Sequence, residues 1–543
     1  MSLTRVTTAT KSKTARRHRA IYRIGGVLGV VLFVMALTQG QTGEVPRAST
    51  YPISGYFIAS SNIDSKNLQK LQEIQALGGD TVITFGTSLL PAALDALPQD
   101  CTIKGENCAR VAASGLKVNR YFTFSDGSQW GPPAIKCPRD RHVINEGKAY
   151  TVMVFPANDP GCKAKDGKYD VIVAGGSPTS AVDPTVSVAA AASTLGMEFY
   201  AGLPAPAKRT DVAYLPDLTY IHTMERFTER FLQYHAAVND VSGLAGFYHH
   251  TEMPVSTSPV YEPVLSLYTM QNGAIHKLLP TRSAIVSPYI EARRDASSID
   301  PAEARGGARK IAQTASGLHL SIAIQDGMGT GKGAAHSASE AKQDVDKFAA
   351  SIVGKGSWEE KYVAPNRNYF AAAAEGVKGT GADLWANLEG MAPATEANPC
   401  DKSLRGQTTV ARIERQLQEM ASVTKVISYM WDPYYTCDGK VPALKKEMEG
   451  GFTVPLVTGS SFDAATGELR VLGFNLRGNS LRISWTGTDG EGHEMEAQPT
   501  GIDSAYGKDH GLNPRIQLAV LKMDAGWTNP GDAYVLSAKN TPD

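Results

Sequence analysis

Short apolar runs rich in β-branched and aromatic residues alternate with longer amphipathic stretches along most of this chain. The first run, ISGYFIAS at 53–60, precedes NLQKLQEIQALGG at 67–79, in which apolar residues recur every three or four positions. The first pattern is typical of a buried strand, and the second is typical of a helix that packs through one face. The same pairing of strand and helix repeats between about residues 51 and 450.

Eight strand-and-helix units are predicted from this alternation. The predicted strands begin near positions 53, 80, either 118 or 197, 244, 283, 319, 381 and 425. Strict alternation of strands and helices indicates a parallel sheet covered by helices, and eight units close naturally into a (β/α)8 barrel, or TIM barrel. An open doubly wound sheet is the alternative, but it favours a Gly-rich first turn, which ISGYFIASS lacks.

Part of the chain before residue 190 departs from this alternation. LLPAALDAL at 89–97 predicts a helix, and VNRYFTFSD at 118–126 predicts either a strand of the main repeat or the start of an insertion. Residues 127–186 are rich in Gly, Pro and Lys and contain short strand-like runs. We therefore expect a β-rich insertion there.

After about residue 450 the helical period disappears, and strand-like runs are separated by turn residues. This pattern predicts a C-terminal β-sandwich. Three parts are therefore expected: an N-terminal lead over 1–45, the barrel with its insertion over 46–450, and the sandwich over 451–543.

The charge of the N-terminal lead differs from that of the rest of the chain. In all, 54 Lys and Arg balance 54 Asp and Glu, which argues against a nucleic-acid partner because such proteins need a basic face. Seven of the basic residues fall within 1–23, where there is no acid, and an apolar run follows at 24–37. That run is shorter than the ~20 residues of a membrane span, so a signal peptide is predicted. An uncleaved membrane anchor through 24–37 stays open, because no small-x-small cleavage site follows; either way the body of the protein is expected to be exported.

The six cysteines agree with export. None of them belongs to a CxxC pair, as zinc ribbons and redox motifs require, so disulfides in an oxidising compartment are predicted. By proximity in the chain, the expected pairs are Cys101 with Cys108, Cys137 with Cys162, and Cys400 with Cys437. Six cysteines allow fifteen pairings, so this choice is a hypothesis.

Two glutamates lie where a (β/α)8 enzyme carries its catalytic groups, at the C-terminal ends of strands. Glu252 in GFYHHTEMP follows the fourth predicted strand, and Glu389 in LWANLEGM follows the seventh. Two facing carboxyl groups suit the hydrolysis of glycosidic bonds, because one protonates the leaving oxygen and the other attacks or activates water. For each glutamate alone, a solvated loop carboxylate or a structural ion pair is the alternative.

Several polar and aromatic side chains at strand ends are expected to contact a sugar. They are His249, Tyr289, Gln325, Asp326, Asn387, Trp431 and Tyr434. Gln325 and Asp326 are expected either to bind a sugar hydroxyl or to hold a catalytic Glu. Trp431 and Tyr434 are expected to form the floor of the subsite beside Glu389. Plain packing within the barrel is the alternative for the aromatic residues.

The segments GFYHHTE, IQDGMG and LWANLEGM resemble three motifs of a bacterial family of barrels of unknown function that are regarded as glycoside hydrolases. The resemblance covers roughly residues 51–450 without the insertion. The order of the motifs also resembles the large retaining clan of (β/α)8 glycosidases. This resemblance implies that Glu252 is the acid/base and Glu389 the nucleophile. The chain departs from the clan in having Thr251 where the clan has Asn.

Two other kinds of site are less favoured by the sequence. His249, His250, Glu252 and Asp326 permit a metal site, but adjacent histidines on a strand point to opposite faces, and no HExxH is present. DGMGTGKG at 326–333 lacks the first Gly and the final Ser or Thr of a phosphate-binding loop. This segment is therefore expected to be a loop at the barrel mouth.

The sequence favours an exported glycoside hydrolase that cleaves a polysaccharide of the cell envelope or extracellular matrix without a cofactor. Two carboxyl groups would perform the reaction; the resemblance implies retention of configuration, and inversion is the alternative for a pair set further apart. The alternative is an envelope protein that binds glycan on the same barrel without catalysis, since function resides in the site rather than in the fold.

Overall fold

A computed structural model represents the chain. It describes residues 50–212, 214–395, 400, 405–451, 455–463, 465–486, 492–523 and 534–538. The predicted signal peptide or anchor at 24–37 lies outside these residues. Within them, none of the helices combines the length and the apolar character that a membrane crossing requires.

Eight parallel strands close into a barrel, as the alternation predicted. They are β1 (Gly55–Phe57), β2 (Thr81–Ile83), β3 (Glu198–Gly202), β4 (Leu244–Tyr248), β5 (Ser283–Val286), β6 (Leu320–Gln325), β7 (Asp383–Glu389) and β8 (Lys425–Tyr429). Gly55 pairs with Thr81 of β2 on one side and with Ile427 of β8 on the other, which closes the ring. Of the two candidates for the third strand, the run near 197 belongs to the barrel.

One helix of the barrel layer follows each strand. These helices are α1 (Asp64–Ala76), α2 (Pro184–Leu195), α3 (Ile221–Val238), α4 (Glu262–Leu278), α5 (Pro301–Ala312), α6 (Asn366–Val377), α7 (Val410–Leu417) and α8 (Leu444–Met448). Two begin at an Asp-Pro step: the side chains of Asp183 and Asp300 accept from backbone N–H groups of the first turn, and proline follows. Proline suits this position because the first N–H groups of a helix have no intrahelical acceptor.

The inside of the barrel is filled by one side chain from each strand. These are Phe57, Ile83, Tyr200, Tyr248, Ile285, Ala323, Trp385 and Ile427. Because successive residues of a strand point to opposite faces, the neighbours of these residues pack outward against the helices. The four aromatic rings in this layer give the barrel a largely aromatic interior beneath its C-terminal mouth.

A β-rich insertion lies between β2 and α2. Its strands are Ser88–Ala92, Lys117–Phe124, Arg141–Asn145, Lys148–Pro156 and Lys168–Pro178, and Ala205–Pro206 of the β3–α3 connection extends the sheet. The insertion thus begins near residue 88, earlier than the predicted 127, and it includes the run at 118–126.

The predicted helix at 89–97 is wrong. Residues Ser88–Ala92 form a strand that pairs with Lys117–Phe124, and only Leu94–Ala96 form a short 3-10 helix. Pro91 lies within this strand and leaves no backbone N–H for a helix to use. Pairing with a distant strand therefore prevails over the helical propensity of the local sequence.

The cysteines are joined as their proximity in the chain suggested. The bonded pairs are Cys101 with Cys108, Cys137 with Cys162, and Cys400 with Cys437, with Cα atoms 5.4, 5.5 and 5.9 Å apart. The first two pairs lie in the insertion, and the third joins the β7–α7 and β8–α8 loops. The insertion is also joined to α3 by a buried ion pair in which Arg230 donates to Asp140 at 2.7 Å.

The C-terminal region forms two antiparallel sheets around their own small core. One sheet contains Leu456–Asp463, Glu468–Phe474, Gly501–Asp503 and Gln517–Lys522, and the other contains Leu481–Thr486, Gly492–Ala497 and Tyr534–Ala538. Leu469, Val471, Leu481, Ile483 and Leu521 are buried between the sheets. The predicted β-sandwich is therefore present.

The sandwich packs against the end of the barrel at which the strands begin. The guanidinium of Arg515 donates to the backbone carbonyls of Tyr51 and Gly78, and Asn513 N–H donates to Val423 O at 2.9 Å. These three acceptors precede β1, β2 and β8. The sandwich is therefore on the opposite side of the barrel from its C-terminal mouth.

Candidate active site

A cleft of ≈ 700 Å³ opens at the C-terminal ends of the barrel strands. Its lining residues are Phe57, Phe85, Tyr248, Glu252, Gln325, Thr330, Asn387, Glu389, Met391, Ala394, Arg405, Tyr429 and Tyr434. Both glutamates expected from the sequence are among them. The two carboxyl groups also affect each other electrostatically, because the charge of Glu389 raises the pKa of Glu252.

Side chains of two barrel strands, β4 and β6, hold the carboxylate of Glu252. Gln325 Nε2, at the end of β6, donates to Glu252 Oε1 at 2.9 Å and also to Ser287 O at 2.7 Å. The hydroxyl of Tyr248 lies 3.4 Å from the same carboxylate oxygen. Gln325 thus lines the cleft and holds a glutamate, which is one of the two roles expected for it.

Glu252 has a pKa suited to proton transfer near neutrality. Glu252 is exposed at the mouth of the barrel, but the protein atoms around its carboxyl group displace water and raise the pKa from the ordinary 4.5 to about 7, while the hydrogen bond from Gln325 and the charge of Lys332 oppose the rise. A carboxyl group with such a pKa is largely protonated at mildly acidic pH. It can therefore donate a proton to a leaving group and later accept one.

Glu389 is the last residue of β7 and is only 3 % exposed. Thr330 N–H donates to Glu389 Oε2 at 2.7 Å, and the Thr330 hydroxyl lies 3.3 Å from Oε1. Burial raises the pKa of Glu389, whereas the hydrogen bonds from Thr330 and the charge of Lys332 favour its ionised form. The loop that carries Thr330 therefore fixes both carboxylate oxygens in place.

That loop passes so close to Glu389 that one position accommodates only glycine. A Cβ atom at Gly329 would lie 2.9 Å from Glu389 Cβ and 2.6 Å from Met391 Cγ. Such short distances do not occur between real Cβ atoms and their neighbours. Because Gly329 has no side chain, Glu389 can occupy the space beside it.

Asp326 lies beneath Glu389 rather than in the cleft. Its fully buried carboxylate accepts from the backbone N–H of Met328 at 3.1 Å, the N–H of Glu389 at 3.3 Å, and Gln416 Nε2 at 2.7 Å. Burial and the charge of Glu389 raise its pKa to about 7. The expectation that Asp326 contacts a sugar is therefore wrong. Its carboxylate instead holds the backbone of Glu389, which is the other role that the sequence left open.

Lys332 lies near both glutamates on the same loop. Its Nζ is 3.6 Å from the ring centroid of Tyr289, and burial lowers its pKa while the charges of Glu252 and Glu389 favour the ammonium form. Tyr289 does not line the cleft, which corrects the prediction that it contacts substrate. Its ring holds Lys332 instead.

Two further residues predicted to contact substrate are buried elsewhere. His249 points away from the barrel interior, and its ring nitrogens lie 3.0 Å from Gln271 Oε1 and 2.8 Å from Asn272 Oδ1 on α4. Burial lowers the pKa of His249 to about 4. The alternation of strand side chains explains this orientation, because the neighbouring residue Tyr248 takes the inward direction.

Trp431 is 1 % exposed and packs edge-on against Tyr56, with ring centroids 5.1 Å apart. It also stacks on Tyr435 at 5.9 Å. Trp431 is therefore part of the core between barrel and helices, and it does not form the floor of a subsite. For Trp431, packing within the barrel, the alternative to a substrate contact, is therefore correct.

Asn387 and Tyr434 do line the cleft, as predicted. Asn387 Nδ2 donates to Ser287 Oγ at 2.9 Å, and its buried Oδ1 has no hydrogen-bond partner in the part of the chain that the structure describes. The hydroxyl of Tyr434 accepts from Arg405 N–H at 3.3 Å.

Sequence reasoning missed five lining residues that are central to the cleft. These are Phe57, Phe85, Thr330, Arg405 and Tyr429. Aromatic residues at the ends of strands one, two and eight were a signal for three of them. Thr330 and Arg405 lie in loops, where no periodic pattern indicates the direction of a side chain.

The metal hypothesis receives no geometric support within the described residues. No group of three or more His, Cys, Asp or Glu side chains there is arranged to hold an ion. Both ring nitrogens of His249 face amide oxygens of α4 rather than the cleft.

No family model and no curated protein sequence matches the chain, so the family resemblance stays a prediction. Among the solved structures that are similar to it are the following three. A protein of Bacteroides thetaiotaomicron VPI-5482 described as an alpha-L-fucosidase shares 12 % identity, with 75 % of this chain and 95 % of that chain covered and a TM-score of 0.40. A glycoside hydrolase family 5 protein of Bacteroides vulgatus ATCC 8482 shares 10 % identity, with 89 % and 91 % covered and a TM-score of 0.34. An endo-beta-1,4-mannanase of Thermotoga petrophila shares 9 %, with 88 % and 92 % covered and a TM-score of 0.28. Solved structures with such low TM-scores say nothing about the chemistry of this chain, so we infer its chemistry from the residues of the cleft.

Proposed function

We propose that this chain is an exported glycoside hydrolase that cleaves a polysaccharide with retention of configuration, using Glu252 as acid/base and Glu389 as nucleophile. One observation carries the proposal: two glutamates at the ends of β4 and β7 open onto a single aromatic-lined cleft, and the pKa of Glu252 is raised to about 7. Two carboxyl groups in one cleft are the minimum machinery for this reaction.

In the first step, protonated Glu252 donates its proton to the glycosidic oxygen while Glu389 attacks the anomeric carbon. The bond to the leaving sugar breaks, and an ester forms between the remaining sugar and Glu389. In the second step, ionised Glu252 removes a proton from water, and the resulting hydroxide displaces Glu389. Glu252 is then protonated again and Glu389 is a free carboxylate, so all atoms and protons balance.

The surroundings of Glu389 suit a nucleophile. Thr330 N–H fixes Oε2 at 2.7 Å, and Asp326 accepts from the backbone N–H of Glu389. Burial raises the pKa of Glu389, and the hydrogen bonds from Thr330 and the charge of Lys332 oppose this rise and favour the carboxylate that must attack. These contacts reduce the reorientation required to reach the transition state.

The remaining walls suit a sugar. Phe85 and Tyr429 are partly exposed and offer apolar surfaces to the faces of sugar rings, and the buried rings of Phe57 and Tyr248 pack against Phe85. The side chains of Gln325 and Thr330 add polar groups to the wall. A pocket with apolar walls and a few fixed polar groups is typical of small-molecule and saccharide sites.

The place of action is proposed as the cell envelope or extracellular matrix. The basic lead with its apolar run, together with three disulfide pairs, supports an oxidising compartment outside the cytoplasm.

Replacement of either glutamate tests the proposal. Glu252→Gln and Glu389→Gln should each reduce hydrolysis of the polysaccharide that the wild type cleaves by roughly 10²–10⁴-fold or more. Glu375→Gln is the control, because Glu375 is an exposed residue of α6 that lies 4.0 Å from Lys378 and lines neither the cleft nor the second cavity. NMR of the first product should show the anomeric configuration of the substrate.

Full activity in either cleft variant would contradict the site assignment, and an inverted first product would contradict the role of Glu389 as nucleophile. A wild type that binds glycan but never hydrolyses it, with unchanged affinity in both variants, would support glycan binding without catalysis.

A further inference from the structure

A second cavity of ≈ 530 Å³ lies among the loops that follow β3 and β4. Its wall is formed mainly by residues 208–211 and 216–219 of the β3–α3 connection, with Pro263 at the start of α4 on the other side. The connection folds back on itself, because Arg209 N–H donates to Leu215 O at 2.9 Å and Asp217 N–H donates to Ala207 O at 2.7 Å. The cavity therefore has a wall held by backbone hydrogen bonds.

The side chain of His250 interacts with a lining residue of each cavity. Its ring centroid is 5.8 Å from that of Phe85, a wall of the cleft. The charge of Lys208, a lining residue of the second cavity, acts on the same ring and adds to burial in lowering the pKa of His250. His250 thus connects the walls of the two cavities.

Tyr214 and Tyr261 form an aromatic ledge, and each lies two residues before a lining residue of the second cavity, Pro216 and Pro263. Tyr214 is 55 % exposed, and its ring centroid is 6.1 Å from that of Tyr261, which directly precedes α4. The adjacent Val260 is 40 % exposed. Among the described residues, Tyr214 is the one aromatic side chain in the set of large exposed hydrophobic residues. An apolar ring held at the surface in this way is a surface on which a ligand can stack.

The polar groups of the second cavity carry balanced charges. Lys208 and Arg209 are matched by Asp211 and Asp217. Arg209 Nε donates to Asp211 Oδ1 at 2.9 Å, and Asp217 Oδ1 accepts from Thr219 N–H at 2.9 Å. Fixed donors and acceptors without net charge suit the hydroxyl groups of a neutral sugar better than they suit an anion.

We propose that this cavity, with the ledge of Tyr214 and Tyr261, is a distal subsite for neutral sugar residues of the glycan chain that is cut between Glu252 and Glu389. The inference rests on the proposed function and adds a substrate class to it: a neutral glycan long enough to extend from the cleft past His250 to Tyr214. The protein should accordingly bind long chains more tightly than short ones.

The test measures binding in the full chain carrying Glu389→Gln, so that probes are not consumed. The probes are linear glucans, mannans, xylans and galactans, each supplied as a series of increasing chain length. Adding Tyr214→Ala should weaken the longest bound chains about tenfold, equivalent to about 1.4 kcal/mol, and leave the shortest unchanged. Tyr214→Phe should retain the wild-type affinity, because it keeps the ring. Ile144→Ala is the control, since Ile144 is an exposed residue of the insertion.

The outcomes separate the distal subsite from catalysis. Affinity that does not grow with chain length, affinity unchanged by Tyr214→Ala, or no binding to any of these series would overturn the subsite. Wild-type hydrolysis in the presence of such results would leave the proposed function standing. Length-dependent binding that needs Tyr214, without any hydrolysis by the wild type, would support the subsite and refute the glycosidase.

Discussion

The two glutamates of the cleft are held by different kinds of group. Glu252 accepts from the side chain of Gln325, whereas Glu389 accepts from the backbone N–H of Thr330 and gives its own N–H to Asp326. A side-chain donor can be removed by mutation without disturbing the backbone. The pKa of Glu252 is therefore easier to alter selectively than that of Glu389.

Gln325→Met should raise the pKa of Glu252. The hydrogen bond from Gln325 stabilises the ionised carboxyl group and so lowers this pKa; its loss acts in the opposite direction. Because Glu252 must be protonated to act as the acid, the alkaline limb of the kcat/KM profile should move to higher pH, by up to about one unit. Gln69→Met, at an exposed position of α1, is the control. If Gln325→Met is active and the alkaline limb of its kcat/KM profile does not move, this role of Gln325 is refuted.

Glu252→Gln should stabilise the protein at alkaline pH. Between the ordinary pKa of 4.5 and the native value of about 7, the folded state keeps a proton that the unfolded chain has released. The free energy of unfolding therefore falls as pH rises through this range. Gln mimics the protonated form, so the variant should match the wild type below pH 4.5 and exceed it at pH 8, by about 1 kcal/mol after allowing for the solvent that reaches Glu252.

This prediction is checked by denaturant unfolding of both proteins across the pH range. Buried His235 and His249, whose pKa values are lowered to about 4, give the opposite trend, with stability rising with pH up to about 6.5. Their contribution is common to both proteins and cancels in the difference. A difference that does not grow with pH would show that the pKa of Glu252 is ordinary.

At the scale of elements, the start of the β6–α6 connection does much to shape the site. This segment supplies Thr330 to Glu389, places Lys332 against Tyr289, and passes the nucleophile at Gly329 without a side chain. Its geometry depends on close approach rather than on periodic patterning.

Gly329→Ala should disable the site without unfolding the barrel. The added methyl group would meet Glu389 Cβ at 2.9 Å and Met391 Cγ at 2.6 Å, so either the loop or the nucleophile must move. We expect at least a tenfold loss of kcat and a loss of about 1–3 kcal/mol in stability. Gly273→Ala on α4 is the matched control, because its Cβ meets no atom within 4 Å and alanine favours a helix. Wild-type kcat in Gly329→Ala would contradict this account.

Features of the fold and the site that depend on local sequence patterns could be predicted, and those that depend on contacts between distant parts of the chain could not. Strand–helix alternation is a local pattern, and it placed Glu252 and Glu389 at the ends of β4 and β7. The side on which a strand residue lies is harder to predict at a strand end, as His249 shows, because inward and outward directions differ by one position. Trp431 was misplaced for a related reason: a large aromatic residue after a strand suits the core as well as a ligand.

Loop contacts lay beyond sequence reasoning altogether. Thr330 contacts Glu389 across 59 residues of chain, and no periodic pattern encodes such a contact. The run at 89–97 shows the same limit for an element, because its pairing with Lys117–Phe124 determined its structure.

At the scale of the whole molecule, the cleft and the sandwich lie at opposite ends of the barrel. Arg515 joins the sandwich to the ends of the strands by donating to Tyr51 O and Gly78 O. Hydrogen bonds from a charged donor to carbonyls contribute about 1.5–3 kcal/mol each in favourable cases. The sandwich therefore stabilises the barrel at the N-terminal ends of its strands, on the side opposite the cleft.

Arg515→Met should lower stability without changing the chemistry of the folded protein. We expect the free energy of unfolding to fall by about 2–3 kcal/mol, because the carbonyls of Tyr51 and Gly78 lose their donor. The kcat/KM measured well below the melting temperature should be unchanged. Arg477→Met, on an exposed turn of the same sandwich, is the control. A change in kcat/KM would show that the sandwich acts on the cleft.

The position of the sandwich also has a consequence for engineering. Lys508 and Lys522 are exposed on the sandwich, at the end of the molecule away from the cleft. Coupling confined to one of these positions, through a uniquely reactive group placed there, would orient the mouth of the barrel toward the solution when the protein is attached to a bead or a sensor surface. Large insoluble polymers could then reach the immobilised protein without obstruction by the support.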